Sequence, residues 1–206
     1  MKKFICTIPL QVNQRELEKV VYDAVDNPKL VYGEAVSFPI VPVINGYVND
    51  GEKIELLVLK QKAEGTDLNY EAFQKQVSQL CEKRGIIYEI KIIEIIFDET
   101  SGTHLKTFLS LIEHIGENDD LYACMTYGTK LIPIVEMMAL NYAVRNVRHV
   151  HVGCIVYGQK SWERNINVIY DITSLFVMDE VVHDIAAMKM EHPLKYIQDI
   201  LYFTEE

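Results

Sequence analysis

Thr126, Tyr127, Gly128, Thr129 and Lys130 are the residues of this chain best suited to chemistry. They follow a short apolar segment, 121–125, and lead into an apolar helical one. Strand, small polar turn and helix together present backbone N–H groups and the positive end of a helix dipole to an anion. Gly128 lets the backbone approach a ligand closely. Thr126 and Thr129 supply hydroxyls, and Lys130 supplies a mobile positive charge. The chemistry such a set suits is the holding of a phosphate or a similar anion.

The elements that position this turn alternate in type. Strands are expected at 4–10, 53–60, 86–97, 121–125, 149–157 and 167–172. Helices are expected at 14–26, 69–84, 101–115, 133–146 and 178–188. Pro39 and Pro42 interrupt a β-rich stretch at 38–47, which suits an edge strand or a loop. Gly85 ends the second helix. The isoleucine-rich segment 86–97 reads as a strand buried on both faces. In the helix at 101–115, Leu105, Phe108, Leu109 and Ile112 form the inner stripe. Repeated β-then-α units predict an α/β fold, a doubly wound Rossmann-like sheet that is mainly parallel. The polar turn between 157 and 167 predicts a terminal β-hairpin, with the last strand antiparallel. Ligands of such sheets bind beyond the carboxyl ends of the strands. Three loops meet there: 9–13, 98–103 and 126–130. All are rich in hydroxyl, amide or small residues.

Composition limits the classes. The 206 residues, 49% hydrophobic and 24% charged, suffice for one full core. Residues 1–188 read as the ligand-binding domain, and 189–206 as a packing helix or the stub of a connection. No apolar run reaches the length of a membrane span, and the basic start lacks a small-residue cleavage site, so a cytoplasmic protein is expected. A net charge of −10 argues against an extended surface for duplex nucleic acid. Cys6, Cys81, Cys124 and Cys154 show no metal spacing and read as core thiols. His149 and His151 share a strand face but have no third ligand in sight, so no metal is expected. No dinucleotide, Walker or G-x-S-x-G motif is present, and no cofactor is expected.

The order of segments and the Cys124-Met125-Thr126-Tyr127-Gly128-Thr129-Lys130 stretch resemble the CARF domain, the Rossmann-like sensor of type III CRISPR systems. Thr126 and Lys130 match that family's hallmark, and the Tyr-Gly-Thr-Lys-x-x-Pro run is typical of it. Cys124 stands where an acidic or amide residue usually orients the loop. The resemblance implies a homodimer that binds a cyclic oligoadenylate, most often the tetra-adenylate, across its two-fold axis. Ile8, Pro9, Leu10 and Gln11 would hold the ligand with Thr126, Tyr127, Gly128, Thr129 and Lys130. The loop carrying Glu99, Thr100 and Ser101 converges on the same place. Such domains usually carry an effector, and no HEPN signature is found. A sensor acting through an effector domain or partner protein and a ring nuclease both fit. In the latter Lys130 would stabilise the charge that develops as a ribose 2′-OH attacks its phosphate, with Thr126 or Thr129 orienting the groups. No histidine is obviously placed as a base.

Other readings stand beside this one. The Thr126 loop also fits a plain β–α turn. Asp98 and Glu99 read as solvated loop charge, and Met137 and Met138 as core or dimer packing. His104, His114, His183 and His192 fit surfaces, and Trp162 a tucked hairpin turn. The competing functions are a Rossmann-like enzyme acting on a small phosphorylated metabolite and a protein-interaction module whose 12 tyrosines serve interfaces.

Overall fold

Alternation along the first strand, β1 (Lys2–Thr7), sends its side chains to two faces, both of them buried. Phe4 and Cys6 join an apolar cluster with Val41, Ile44, Phe73 and Val77. Thr7 turns the other way and meets Glu136. A strand covered on both sides requires a helix layer above and below the sheet. The computed structural model describes residues 1–10, 17–62, 65–96, 98–161 and 166–203, and it contains both layers.

The elements after β1 are β2 (Asp23–Val25), α1 (Ile40–Tyr47), β3 (Lys53–Gln61), α2 (Thr66–Arg84) and β4 (Ile87–Ile95). Then come α3 (Ser101–Ile112), β5 (Asp120–Cys124), α4 (Ile132–Asn146), β6 (His151–Ser161) and β7 (Ile166–Asp171). The strands form one open sheet in the order β2-β7-β6-β5-β1-β3-β4. β1, β3, β4, β5 and β6 run parallel, in the Rossmann order in which the chain winds to one side of β1 and then to the other. Helices α1 and α2 supply the cluster on the Phe4 face, and α3 and α4 pack on each other on the Thr7 face. The fold is Rossmann-like and doubly wound, as the alternation of elements predicts. β6 and β7 form the expected antiparallel hairpin. Its tip, with Trp162, lies outside the described residues.

Residues 1–172 make one compact unit, and 173–206 make a second. The second consists of α5 (Thr173–Met188) and α6 (Pro193–Phe203), which touch each other. Among the described residues, no helix is long and apolar enough to cross a membrane.

Five local expectations are corrected. The helix expected at 14–26 does not form over its described part, because Val20 and Tyr22 are buried while Lys19, Val21 and Asp23 are exposed. That period of two belongs to a strand, and Asp23–Val25 pairs with β7. The stretch at 38–47 is mostly helix α1. Pro39 caps it and Pro42 sits in the first turn, where a missing N–H removes no helical bond. β4 is an edge strand, so Ile87 and Ile92 are exposed and only its far end, Ile93 and Ile95, is buried. In α3, Thr107 and Leu111 face inward, whereas Leu105 and Leu109 are exposed. His149 precedes β6 in a left-handed turn, so it does not share a strand face with His151.

Candidate functional site

β1 and β5 lie side by side at the point where the winding reverses, and such a switch point leaves a crevice beyond the strand ends. A cleft of about 290 Å³ opens there. Ile8, Pro9 and Leu10 line it from the loop after β1, and Thr126, Tyr127, Gly128 and Thr129 from the loop after β5. Gln61, the last residue of β3, completes the lining. Gln11 lies outside the described residues.

The first loop is anchored at its backbone. Ile8 N–H donates to the Leu59 carbonyl at 2.9 Å, and the Asn69 amide of α2 donates to the Pro9 carbonyl at 2.8 Å. Apolar side chains are thereby held at the cleft wall while the polar backbone is satisfied elsewhere.

The second loop is held from three sides. Thr126 Oγ1 accepts the Gly158 N–H at 2.8 Å and lies 3.2 Å from Cys124 Sγ. Cys124 therefore contacts a residue that lines the cleft. Burial pushes its thiol up to about 12, so the contact is a neutral one. Tyr127 donates its hydroxyl to the Ser37 carbonyl at 2.6 Å, with its ring edge-on to Phe38. Burial raises the Tyr127 hydroxyl well above its ordinary value. Tyr127 thus offers the cleft its ring, with the hydroxyl committed elsewhere. Gly128 has φ +107°, and an added Cβ would lie 3.2 Å from both Thr7 Cγ2 and Ile132 Cβ. Only a glycine takes that position without strain.

The third loop reaches the second through one carboxylate. Thr129 Oγ1 donates to Glu99 Oε2 at 3.3 Å, and His104 Nε2 lies 3.1 Å from the same oxygen. Thr100 caps α3 by accepting the Thr103 N–H, and Asp98 accepts the Thr100 N–H at 3.0 Å. These hydrogen bonds, the Thr100 backbone one foremost, hold the Asp98 carboxyl below its ordinary value. Thr100 and Ser101 shape the start of α3 and are not among the lining residues. Lys130 is not among the lining residues; it is exposed and makes no hydrogen bond or ion pair with any described residue. Helix α4 follows it without a side-chain cap; Ile132 N–H donates to the Thr129 carbonyl and Val135 N–H to the Leu131 carbonyl, both at 3.1 Å, and Pro133 has no N–H to donate.

Below the turn, Glu136 of α4 is fully buried and accepts a hydrogen bond from Thr7 Oγ1 at 3.0 Å. Burial pushes its carboxyl up to about 8, against the lowering effect of the Thr7 bond. Its Oε2 has no partner.

Three residues of this neighbourhood escape a reading of the sequence: Gln61, His104 and Glu136. Gln61 carries a signal, as the polar residue that ends an apolar strand next to the sheet centre. His104 and Glu136 reach the site only through α3 and α4 packing. No group of three or more His, Cys, Asp or Glu among the described residues is arranged to hold a metal ion. In comparison with known proteins, no family model matches this chain, and neither does any curated protein.

Proposed function

We propose that this chain binds a cyclic oligoadenylate, with the tetra-adenylate as the favoured ring, across a homodimer interface in type III CRISPR antiviral signalling. The observation that carries this reading is the cleft at the β1–β5 switch point, lined by Ile8 to Leu10 and by Thr126 to Thr129. The ligand is a ring of phosphates and bases. It asks for a positive charge beside apolar walls, and the exposed Lys130 directly follows Thr129, which lines the cleft with Ile8, Pro9, Leu10 and Tyr127. A two-fold ligand also asks for two copies of one site. Helices α3 and α4, which pack together, expose Leu105, Leu109, Ile134 and Met138, and these support the pairing of two chains. The reading places the protein in the cytoplasm, as a sensor working through an effector or as a metal-independent ring nuclease. In the second role Lys130 stabilises the charge that develops on the attacked phosphate, and Thr129, tied to Glu99 and His104, orients the reacting groups.

The test is incubation of the purified protein with cyclic tri-, tetra- and hexa-adenylate, with bound and cleaved species resolved by chromatography. Retention of one intact ring assigns a sensor. Linear products that disappear in Lys130→Ala assign a ring nuclease. If no ring is retained or cut, the messenger reading fails, and a small phosphorylated metabolite becomes the ligand class to test.

A further inference from the structure

We propose that Gln61 reads a nucleobase in the cleft, accepting a hydrogen bond from the exocyclic amine of an adenine. This rests on the oligoadenylate reading and adds to it the residue that selects the base.

Gln61 ends β3, where its backbone is tied to the sheet and to the turn that follows. It pairs with Ile95 of β4, and its carbonyl accepts the Thr66 hydroxyl at 2.8 Å. Gln61 is one of the residues lining the cleft, although it is only 4% exposed. The side-chain oxygen Oε1 has no hydrogen-bond donor.

The other polar side chains of the lining are occupied. Thr126 Oγ1 holds the Gly158 N–H, the Tyr127 hydroxyl holds the Ser37 carbonyl, and the Thr129 hydroxyl holds Glu99. Among the described lining residues, Gln61 is therefore the side chain with a buried polar atom still to be paired. Buried acceptors without partners are costly and uncommon, and a binding cleft is where such a cost is relieved by the ligand.

The chemistry of the partner follows from the acceptor and its surroundings. A phosphate offers only acceptors, so it cannot satisfy Oε1; it belongs with the Lys130 ammonium. Ile8, Pro9, Leu10 and the Tyr127 ring make an apolar wall against which a flat base can lie. A carboxamide carries an acceptor and a donor side by side. Adenine presents the complementary pair, its N6 amine and N7, on one edge, whereas guanine offers two acceptors there. Oε1 is shielded from solvent, and rotation about the last side-chain bond, a broad torsion, turns the amide toward the base.

The experiment compares the wild-type chain with Gln61→Leu. Both are titrated with cyclic tetra-adenylate and with the same ring built from purine riboside, which has hydrogen in place of the amine. Wild type is expected to bind the adenylate ring roughly 10-fold or more tighter than the purine ring. Gln61→Leu is expected to lose that much affinity for adenylate and to bind the two rings alike. Its thermal melt should be no lower than that of wild type, because the carboxamide it replaces makes no hydrogen bond with any described residue. Equal binding of the two rings by wild type, or full discrimination retained in Gln61→Leu, overturns the assignment of Gln61 and leaves the messenger reading intact. Binding of neither ring by wild type overturns both. Should Gln61→Leu fail to fold, Gln61→Met and the wild-type ratio decide the matter in the same way.

Discussion

The hydroxyl of Thr7, at the end of β1, donates a 3.0 Å hydrogen bond to the carboxyl of Glu136, which is fully buried in α4. The pair ties the central strand to the helix that follows the Thr126 loop, directly beneath Gly128. It sets both a titration and a fit, and each yields a prediction.

Glu136 makes stability depend on pH. Its carboxyl titrates near 4.5 ordinarily and is pushed up to about 8 by burial. Between those values the folded chain holds a proton that the unfolded chain has released. The stability this group contributes is complete below pH 4.5 and is lost as pH rises through 8. Glu136→Gln keeps the shape and stays neutral. Its melting temperature should exceed that of wild type by an amount that grows from pH 5 to pH 8, reaching on the order of several degrees. Melting curves collected across that range check this, and parallel pH profiles for the two proteins would count against it.

Gly128→Ala should damage the loop more than the fold. The added methyl meets Thr7 Cγ2 and Ile132 Cβ at 3.2 Å, in a backbone conformation with φ +107°. Strain of this kind costs about 1–3 kcal/mol. Urea titration should show a loss of that size, and retention of cyclic tetra-adenylate should fall further than the stability loss explains. Wild-type stability in this variant would mean that the turn adapts freely.

Thr126 acts on the sheet as well as the cleft. Its Oγ1 accepts the Gly158 N–H at 2.8 Å, so Thr126→Val leaves a buried donor without a partner. A loss of about 1–3 kcal/mol is expected, with most of it recovered in Thr126→Ser. The midpoint of chemical denaturation reads this. An unchanged midpoint in the valine variant would show that the bond contributes nothing.

The exposed apolar faces of α3 and α4 predict association. Leu109 is 51% exposed and Met138 46%. If they meet a second copy of the chain, Leu109→Glu or Met138→Glu should convert a dimer to a monomer in light scattering, with the fold intact by circular dichroism. A monomeric wild type, or a dimer indifferent to both changes, would remove this face from the interface.

Features encoded within about ten residues of chain were legible in the sequence. The alternation of strands and helices follows from local hydrophobic periodicity, and the end of α2 from Gly85 in a left-handed conformation. The turn from Thr126 to Lys130 between β5 and α4 is equally local. Where two periods compete, neighbours decide. Val20 and Tyr22 take a strand pattern beside β2, which pairs with β7, and Pro39 and Pro42 open a helix in a stretch buried all round. Exposure along β4 and α3 could not be read in advance, because it depends on which element lies at the sheet edge and which face meets a neighbour. The site divides in the same way. The loop, its glycine and its lysine follow from local residues alone. That the hydroxyls of Thr126 and Tyr127 turn inward, and that Gln61, His104 and Glu136 come to surround the loop, depends on packing, because those contacts are made between segments far apart in the chain.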